Sequence, residues 1–214
     1  MVHGTPRERR REETLRRITD TALQMVVDGG LDALSVHRLA KALDYTPGAL
    51  YRYFSSKDAL LAAVTTQVVE GFVAEVEQAW ARVPAGEPLV RVAVGLFTYR
   101  RLATTQPNRF GMLASLLADT RVLIPDPGDA EAPLVAMMRA LQPLAMAFQQ
   151  AAGDGALLPG DPLVRSLVGF GAVHGVLMLR KQALRGPALF DVDALVREGL
   201  RAQLVGWGAP ADRA

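Results

Sequence analysis

The chain has 214 residues, of which 50% are hydrophobic, 6% aromatic and 21% charged, and it contains no cysteine. That composition supplies a buried core and excludes a disordered chain, a disulfide scaffold, a thiolate metal site and a cysteine nucleophile. The net charge of +2 sits entirely in residues 1–60, where ten basic residues face eight acidic ones, while residues 61–214 balance; an excess that small does not by itself specify a polyanionic partner.

The segment Met1–Arg17 is polar and arginine-rich, without the apolar run of a secretory signal. The longest nearly uncharged apolar stretch, between Arg165 and Arg180, is about 14 residues broken by His174, short of the roughly 20 that a membrane helix needs. The expected setting is the cytoplasm, with no membrane.

Leu15, Ile18, Ala22, Met25 and Val26 recur at three- and four-residue steps and predict a helix over residues 8–28, ended by Gly29 and Gly30. Ser35 is the predicted N-cap of a short helix over 35–43 bearing Val36, Leu39, Ala40 and Leu43. Thr46 followed by Pro47 is the next start signal, for a helix reaching Phe54. Ser55, with Asp58 three residues later, predicts a capping box that opens a longer helix to Arg82. After a break at Pro84, Gly86 and Pro88, helical patterns follow over 88–104, 107–118, 131–152, 162–184 and 191–207. Pro125–Asp129 and Gly153–Gly155 are expected surface loops. No alternating run reads as a strand, and the predicted fold is all-α with about nine helices.

Two short helices joined at Asp44-Tyr45 have the spacing of a helix-turn-helix, whose second helix enters the DNA major groove while the first braces it. Leu39, Ala40 and Leu43 give the first helix an inner face, and Leu50 with Phe54 gives the second one. The outward set, Thr46, Gly48, Ala49, Tyr51, Arg52 and Tyr53, is short at its start and then hydrogen-bonding or cationic, as contact with base edges and phosphates requires.

Ile18, Ala22, Gly30, Leu34-Ser35, Leu39-Ala40 and Leu43, then the run Thr46–Phe54 and Ser56–Leu61, together resemble the tetracycline-repressor (TetR) family of bacterial transcriptional regulators. The resemblance covers about residues 15–64. It implies a three-helix DNA-binding domain, residues 1–60, ahead of a helical effector-binding and dimerisation bundle, residues 61–214. Three departures stand out: Asp44 where the family usually has glycine, Tyr45 where it has a small apolar residue, and Tyr53 where it often has histidine. Carried over by position, Tyr51, Tyr53 and Lys57 grip phosphates. Thr46, Pro47, Gly48 and Arg52, with His37, lie near bases, and Ser35 and Arg38 add backbone contacts. Lys57 at a helix N-terminus opposes the helix dipole, a misplacement that a bound phosphate would explain. The Arg7–Arg17 cluster, laced with Glu8, Glu12 and Glu13, reads equally as a solvated helix face or as an arm on the DNA.

The remaining residues must account for a large apolar module. Val192, Leu195, Val196, Gly199, Leu200, Gln203, Leu204 and Trp207 form a stripe on the last helix, and Gly171 and Gly175 on the preceding one allow close helix approach. Gly171, Gly175, Val196, Leu200, Leu204 and Trp207 are the expected homodimer interface, in a four-helix arrangement. The effector candidates are Phe97, Arg100, Phe110, Met112, Met138, Phe170, His174 and Met178, because methionines and aromatics line adaptable apolar pockets. The implied function is a repressor that binds a pseudo-palindromic double-stranded operator as a homodimer and is released by a small lipophilic effector. Two alternatives are a DNA-binding regulator without a small-molecule effector and an all-α enzyme using His174 as a base. The latter lacks a paired carboxylate, a nucleophile elbow, a phosphate loop and metal-ligand spacing among only three histidines. No cofactor and no metal are expected.

Overall fold

Proline opens six of the nine helices found among the described residues: Pro6, Pro47, Pro88, Pro107, Pro127 and Pro162. A proline at the first helical position gives up an amide that has no partner there anyway, so these residues set helix starts at little cost. The computed structural model describes residues 5–84, 86–118, 124–180, 182, 186 and 191–212, and contains no strand among them. In chain order the elements are α1 (Pro6–Gly29), a 3-10 turn (Leu31–Ala33), α2 (Val36–Ala42), α3 (Pro47–Leu50), α4 (Lys57–Trp80), α5 (Pro88–Thr105), α6 (Pro107–Ala118), α7 (Pro127–Gly153), α8 (Pro162–Met178) and α9 (Val192–Gly206). Of the predicted continuation of α8 to residue 184, residues 181, 183 and 184 lie outside the described residues.

Local signals fix the helix ends. Thr5 and Glu8 form a reciprocal capping box on α1, and the Thr5 amide holds the Glu8 carboxyl below its ordinary value. Gly30, at φ 75°, takes the left-handed turn that stops α1. Asp161 and Asp191 each accept two amides at the starts of α8 and α9. Three expectations need correction. Ser35 makes no side-chain cap. Ser56, not Ser55, caps α4, accepting from the Ala59 amide at 2.9 Å. The loop expected at Pro125–Asp129 is already helical from Pro127, because the Asp126 carboxylate accepts the Asp129 amide at 2.9 Å.

The chain divides into two compact units. The first comprises Met1–Glu70 and Gln106–Ala136. Its core joins Ile18, Ala22 and Val26 of α1, Leu39 and Ala40 of α2, Leu50 of α3, Leu60, Val64 and Val68 of α4, and Phe110 and Met112 of α6. Side chains tie the layers: Asn108 of α6 donates to the Val27 carbonyl, Gln67 of α4 donates to Asp20, and Ser56 donates to Asp129 of α7 at 3.2 Å.

The second unit comprises Gly71–Thr105 and Met137–Ala214. Val92, Leu96, Tyr99 and Leu102 of α5, Leu144 and Phe148 of α7, Val173 and Leu177 of α8, and Val196, Leu200 and Leu204 of α9 form its core. Trp207 meets Phe148 edge-on at 5.3 Å, and the buried guanidinium of Arg165 lies 5.5 Å from the Trp207 ring centroid.

Among the described residues one helix, α4, is long and apolar enough to cross a membrane by length and composition, and 44% of its most apolar stretch is buried inside the protein. α4, rather than the segment 165–180 singled out by its sequence, therefore comes nearest to such a span.

Candidate nucleic-acid interface

α2 and α3 meet as the spacing predicts. The chain leaves α2 through Leu43 and Asp44, and the Tyr45 amide donates back to the Ala40 carbonyl at 2.8 Å. Asp44 adopts φ 58°, in the left-handed region. Thr46 then caps α3, its hydroxyl accepting the Ala49 amide at 3.2 Å. Leu39, Ala40 and Leu50 are buried together beneath. The predicted helix 46–54 is shorter than expected: α3 ends at Leu50, and Tyr51–Tyr53 continue as a turn in which the Tyr53 and Phe54 amides both donate to the Leu50 carbonyl.

The turn leaves a solvent-facing set. Thr46, Gly48, Tyr51 and Arg52 are exposed, as are His37 and Arg38 of α2 and Lys57, the first residue of α4. A side-chain carbon at Gly48 would meet nothing within 4 Å, so this part of α3 offers bare backbone to a partner. Ser35, Pro47 and Tyr53 are half-buried. Arg38 donates to the Asp32 carbonyl at 2.8 Å, which ties it to the 3-10 turn. The guanidinium of Arg11 lies 5.5 Å from the Tyr53 ring centroid, and Arg17 donates to the Tyr45 hydroxyl at 2.7 Å.

In the second unit, Tyr99, Phe170 and His174 come together, joined by Phe72. Ring centroids are 5.6 Å apart for Phe72–Tyr99, 4.8 Å for Tyr99–Phe170 and 5.8 Å for Phe170–His174. The Tyr99 hydroxyl and His174 Nδ1 are 2.9 Å apart. Burial pushes the Tyr99 phenol well above its ordinary range, so it keeps its proton and donates to Nδ1. Burial lowers the His174 pKa, favouring the neutral ring that can accept this bond. Arg100 is bound bidentately by Asp193. Phe97 lines a groove of about 610 Å³ between α5 and α9, with Leu89, Val90, Ala93, Arg197 and Leu204 among its walls. Met178 is half-buried and Met138 exposed. Phe110 and Met112 belong to the first unit's core, whereas the other effector candidates belong to the second unit.

The expected interface residues divide. Gly171 and Gly175 are exposed on α8, and a side-chain carbon at either would meet nothing within 4 Å. Val196, Leu200 and Leu204 are 1, 6 and 3% exposed, and Trp207 packs edge-on against Phe148, so these four serve the chain's own core. A 3.6-residue stripe reports that a face is buried, not which molecule covers it. On α8 the open apolar residues include Val164, Leu167 and Val168, at 54, 48 and 47% exposure, on the N-terminal side of the two glycines.

Residues 18–64 match the family described as bacterial regulatory proteins, tetR family. Residues 18–64 thus carry the sequence pattern of the tetR family. Solved structures agree in fold. A protein of unknown function from Rhodococcus sp. RHA1 superposes with a TM-score of 0.72 at 22% identity, covering 96% of this chain and 97% of that one. RolR, solved with resorcinol, gives 0.68 at 17% identity, covering 96% and 92%. SmeT, the repressor of the Stenotrophomonas maltophilia multidrug efflux pump SmeDEF, gives 0.62 at 22% identity, covering 90% and 89%. A comparison with proteins of curated function returns no match.

The contacts of α1 with Tyr45 and Tyr53 leave no signal in the sequence. Arg17 and Tyr45 are 28 residues apart, and no periodicity links them. The Ser56–Asp129 bond, spanning 73 residues, is equally silent in sequence. The exposed run Val164, Leu167 and Val168 is visible in sequence as apolar residues at helical spacing, but only burial on the opposite face of α8 shows that it points outward.

Proposed function

We propose that the protein is a repressor that binds a pseudo-palindromic operator as a homodimer and leaves it when a small lipophilic ligand binds. Residues 1–60 read DNA in this scheme, and residues 61–214 bind effector and partner. The observation that carries it is the solvent-facing set Thr46, Gly48, Tyr51 and Arg52 on a capped turn held from beneath by Leu39, Ala40 and Leu50. Tyr51, Tyr53 and Lys57 hold phosphates and so fix register, while Thr46, Pro47, Gly48 and Arg52, with His37, meet base edges. Ser35 and Arg38 add backbone contacts.

One turn of helix reads few base pairs, so a second copy related by two-fold symmetry is needed for a specific site. The open face of α8 supports such a pairing: Val164, Leu167 and Val168 are apolar, and Gly171 and Gly175 let a partner helix approach closely. Effector binding falls to Phe170, His174 and Met178 with Phe97 and Arg100. RolR, solved with resorcinol, and SmeT, a repressor, support a ligand-released repressor of this fold. The ligand acts by binding better to a conformation whose two recognition elements no longer match the half-sites. The setting is the cytoplasm.

Selection of bound sequences from random duplex DNA tests the reading. It should return an inverted repeat with half-site centres roughly 34–36 Å apart, or a multiple of one helical turn. A single unrepeated half-site would refute the dimeric scheme. Compounds that raise the melting temperature should also release the selected operator; if none does, effector gating fails.

A further inference from the structure

Among the described residues Asp44 is the one non-glycine position with a left-handed backbone, at φ 58°. That geometry is free for glycine and disfavoured for every residue with a side chain, although aspartate tolerates it better than most. The bend is nevertheless what turns the chain from α2 into α3. Two local bonds support it, Asp44 N–H to the Lys41 carbonyl at 3.3 Å and Tyr45 N–H to the Ala40 carbonyl at 2.8 Å. α3 adds little of its own, being four residues long with only Leu50 buried.

Support comes from α1. Arg17 donates through Nη2 to the Tyr45 hydroxyl at 2.7 Å, and its guanidinium carbon lies 5.4 Å from the centre of the same ring. Six residues earlier on α1, Arg11 lies 5.5 Å from the Tyr53 ring centroid. Tyr45 immediately precedes the Thr46 cap, and Tyr53 closes the turn that follows α3. α1 thus clasps the chain on both sides of the recognition element.

We propose that Arg17 and Tyr45 are positioning residues for DNA recognition. Their clasp holds the α2–α3 turn in the left-handed bend that a glycine would adopt unaided, and thereby sets the angle at which α3 meets the base edges. This inference rests on the reading of α3 as the recognition element given above. It commits Arg17 to the protein's own hydrogen-bond network and not to a phosphate. Sequence-specific binding needs the angle of α3, whereas non-specific binding is carried by phosphate contacts and does not.

The test uses the full chain and the operator selected from random DNA, with a random duplex as control, from about 50 to about 200 mM salt. The proteins are wild type, Tyr45→Phe, Tyr45→Ala, Arg17→Ala, Asp44→Gly and the double variant Asp44→Gly/Tyr45→Ala, assayed below the melting temperature of each. Tyr45→Ala and Arg17→Ala should weaken operator binding about tenfold per protomer, the population factor of one left-handed side-chain-bearing residue. Both should leave random-duplex affinity and the salt slope unchanged. Tyr45→Phe, which keeps the ring and loses only the hydroxyl, should lose a smaller factor. In the Asp44→Gly background the effect of Tyr45→Ala should shrink to about twofold per protomer, because glycine needs no clasp.

A fall of about one in the salt slope per protomer for Arg17→Ala would make Arg17 a phosphate ligand and overturn the proposal. So would equal losses on operator and random duplex, or failure of Asp44→Gly to rescue Tyr45→Ala. Wild type selecting no sequence would remove the recognition reading itself; wild type selecting an operator that all variants bind equally would remove the clasp alone.

Discussion

Replacing Lys57 by alanine should weaken DNA binding and stabilise the protein at the same time. Lys57 is the exposed first residue of the 24-residue helix α4 and makes no ion pair among the described residues. Its positive charge therefore stands against the positive end of the helix dipole, an opposition of about 0.3–1 kcal/mol at an exposed site. Removing it should raise the melting temperature by about 1–4 °C for a chain of this size. On DNA the same lysine is expected to hold one phosphate per protomer. Each such contact contributes about 0.9 to the slope of log affinity against log salt, so a dimer loses about 1.8. Over a fourfold rise in salt that is about a twelvefold convergence of wild-type and variant affinities. Fluorescence anisotropy on operator and random duplexes at four salt concentrations measures the slope, and calorimetry measures the melt. An unchanged slope would place Lys57 off the DNA, and a lowered melting temperature would refute the dipole argument.

Other substitutions probe separate parts of the reasoning. Ser56→Ala should cost about 1 kcal/mol, the usual worth of an N-cap, and Ser55→Ala under about 0.5 kcal/mol, read by chemical denaturation; the reverse order would restore Ser55 as the cap. Leu167→Asp, in the middle of the open α8 face, should leave the fold intact and convert a dimer to a monomer in sedimentation, with operator binding lost; a monomeric wild type refutes this surface. His174 is held neutral by burial, so the unfolded chain binds its proton more tightly than the folded one. Stability should therefore be full above about pH 6.5 and fall as the pH drops below it. His174→Gln should flatten that acid limb of the stability curve, and parallel curves for the two proteins would contradict the assignment.

What could be read from sequence was what local chemistry decides. Thr46-Pro47 and Gly30 act on amides and backbone angles within four residues, and both ends fall where expected. Asp126-Pro127 carries the same cap-and-proline signal, hidden by the adjacent Pro125, which reads as a loop. Ser55 and Ser56 compete for one role, and a shift of one residue is decided by where the chain leaves α3, which no local pattern states. The stripe of Val196, Leu200 and Leu204 was legible as buried and illegible as to its partner, because α8 of the same chain and a helix of another molecule offer the same apolar surface. Phe110 and Met112 are apolar as expected but fill the core of the unit that holds α2 and α3. The clasps on Tyr45 and Tyr53 depend on the tertiary placement of α1 and leave no periodic trace.

The placement of Gln106–Ala136 in the same compact unit as α1, α2 and α3 bears on how such a protein can be re-engineered. A chimaera that joins residues 1–60 to a foreign body would cut the bonds from Asn108 to Val27 and from Ser56 to Asp129. It would also strip α6 from α1, uncovering Ile18, Ala22 and Val26, which have no solvent exposure in the intact chain. The transplantable cassette is discontinuous: a graft that keeps its native footing must carry Met1–Glu70 together with the later segment through Ala136. A specificity swap between relatives is accordingly better made by exchanging the few outward side chains of α3 than by moving the head as a block.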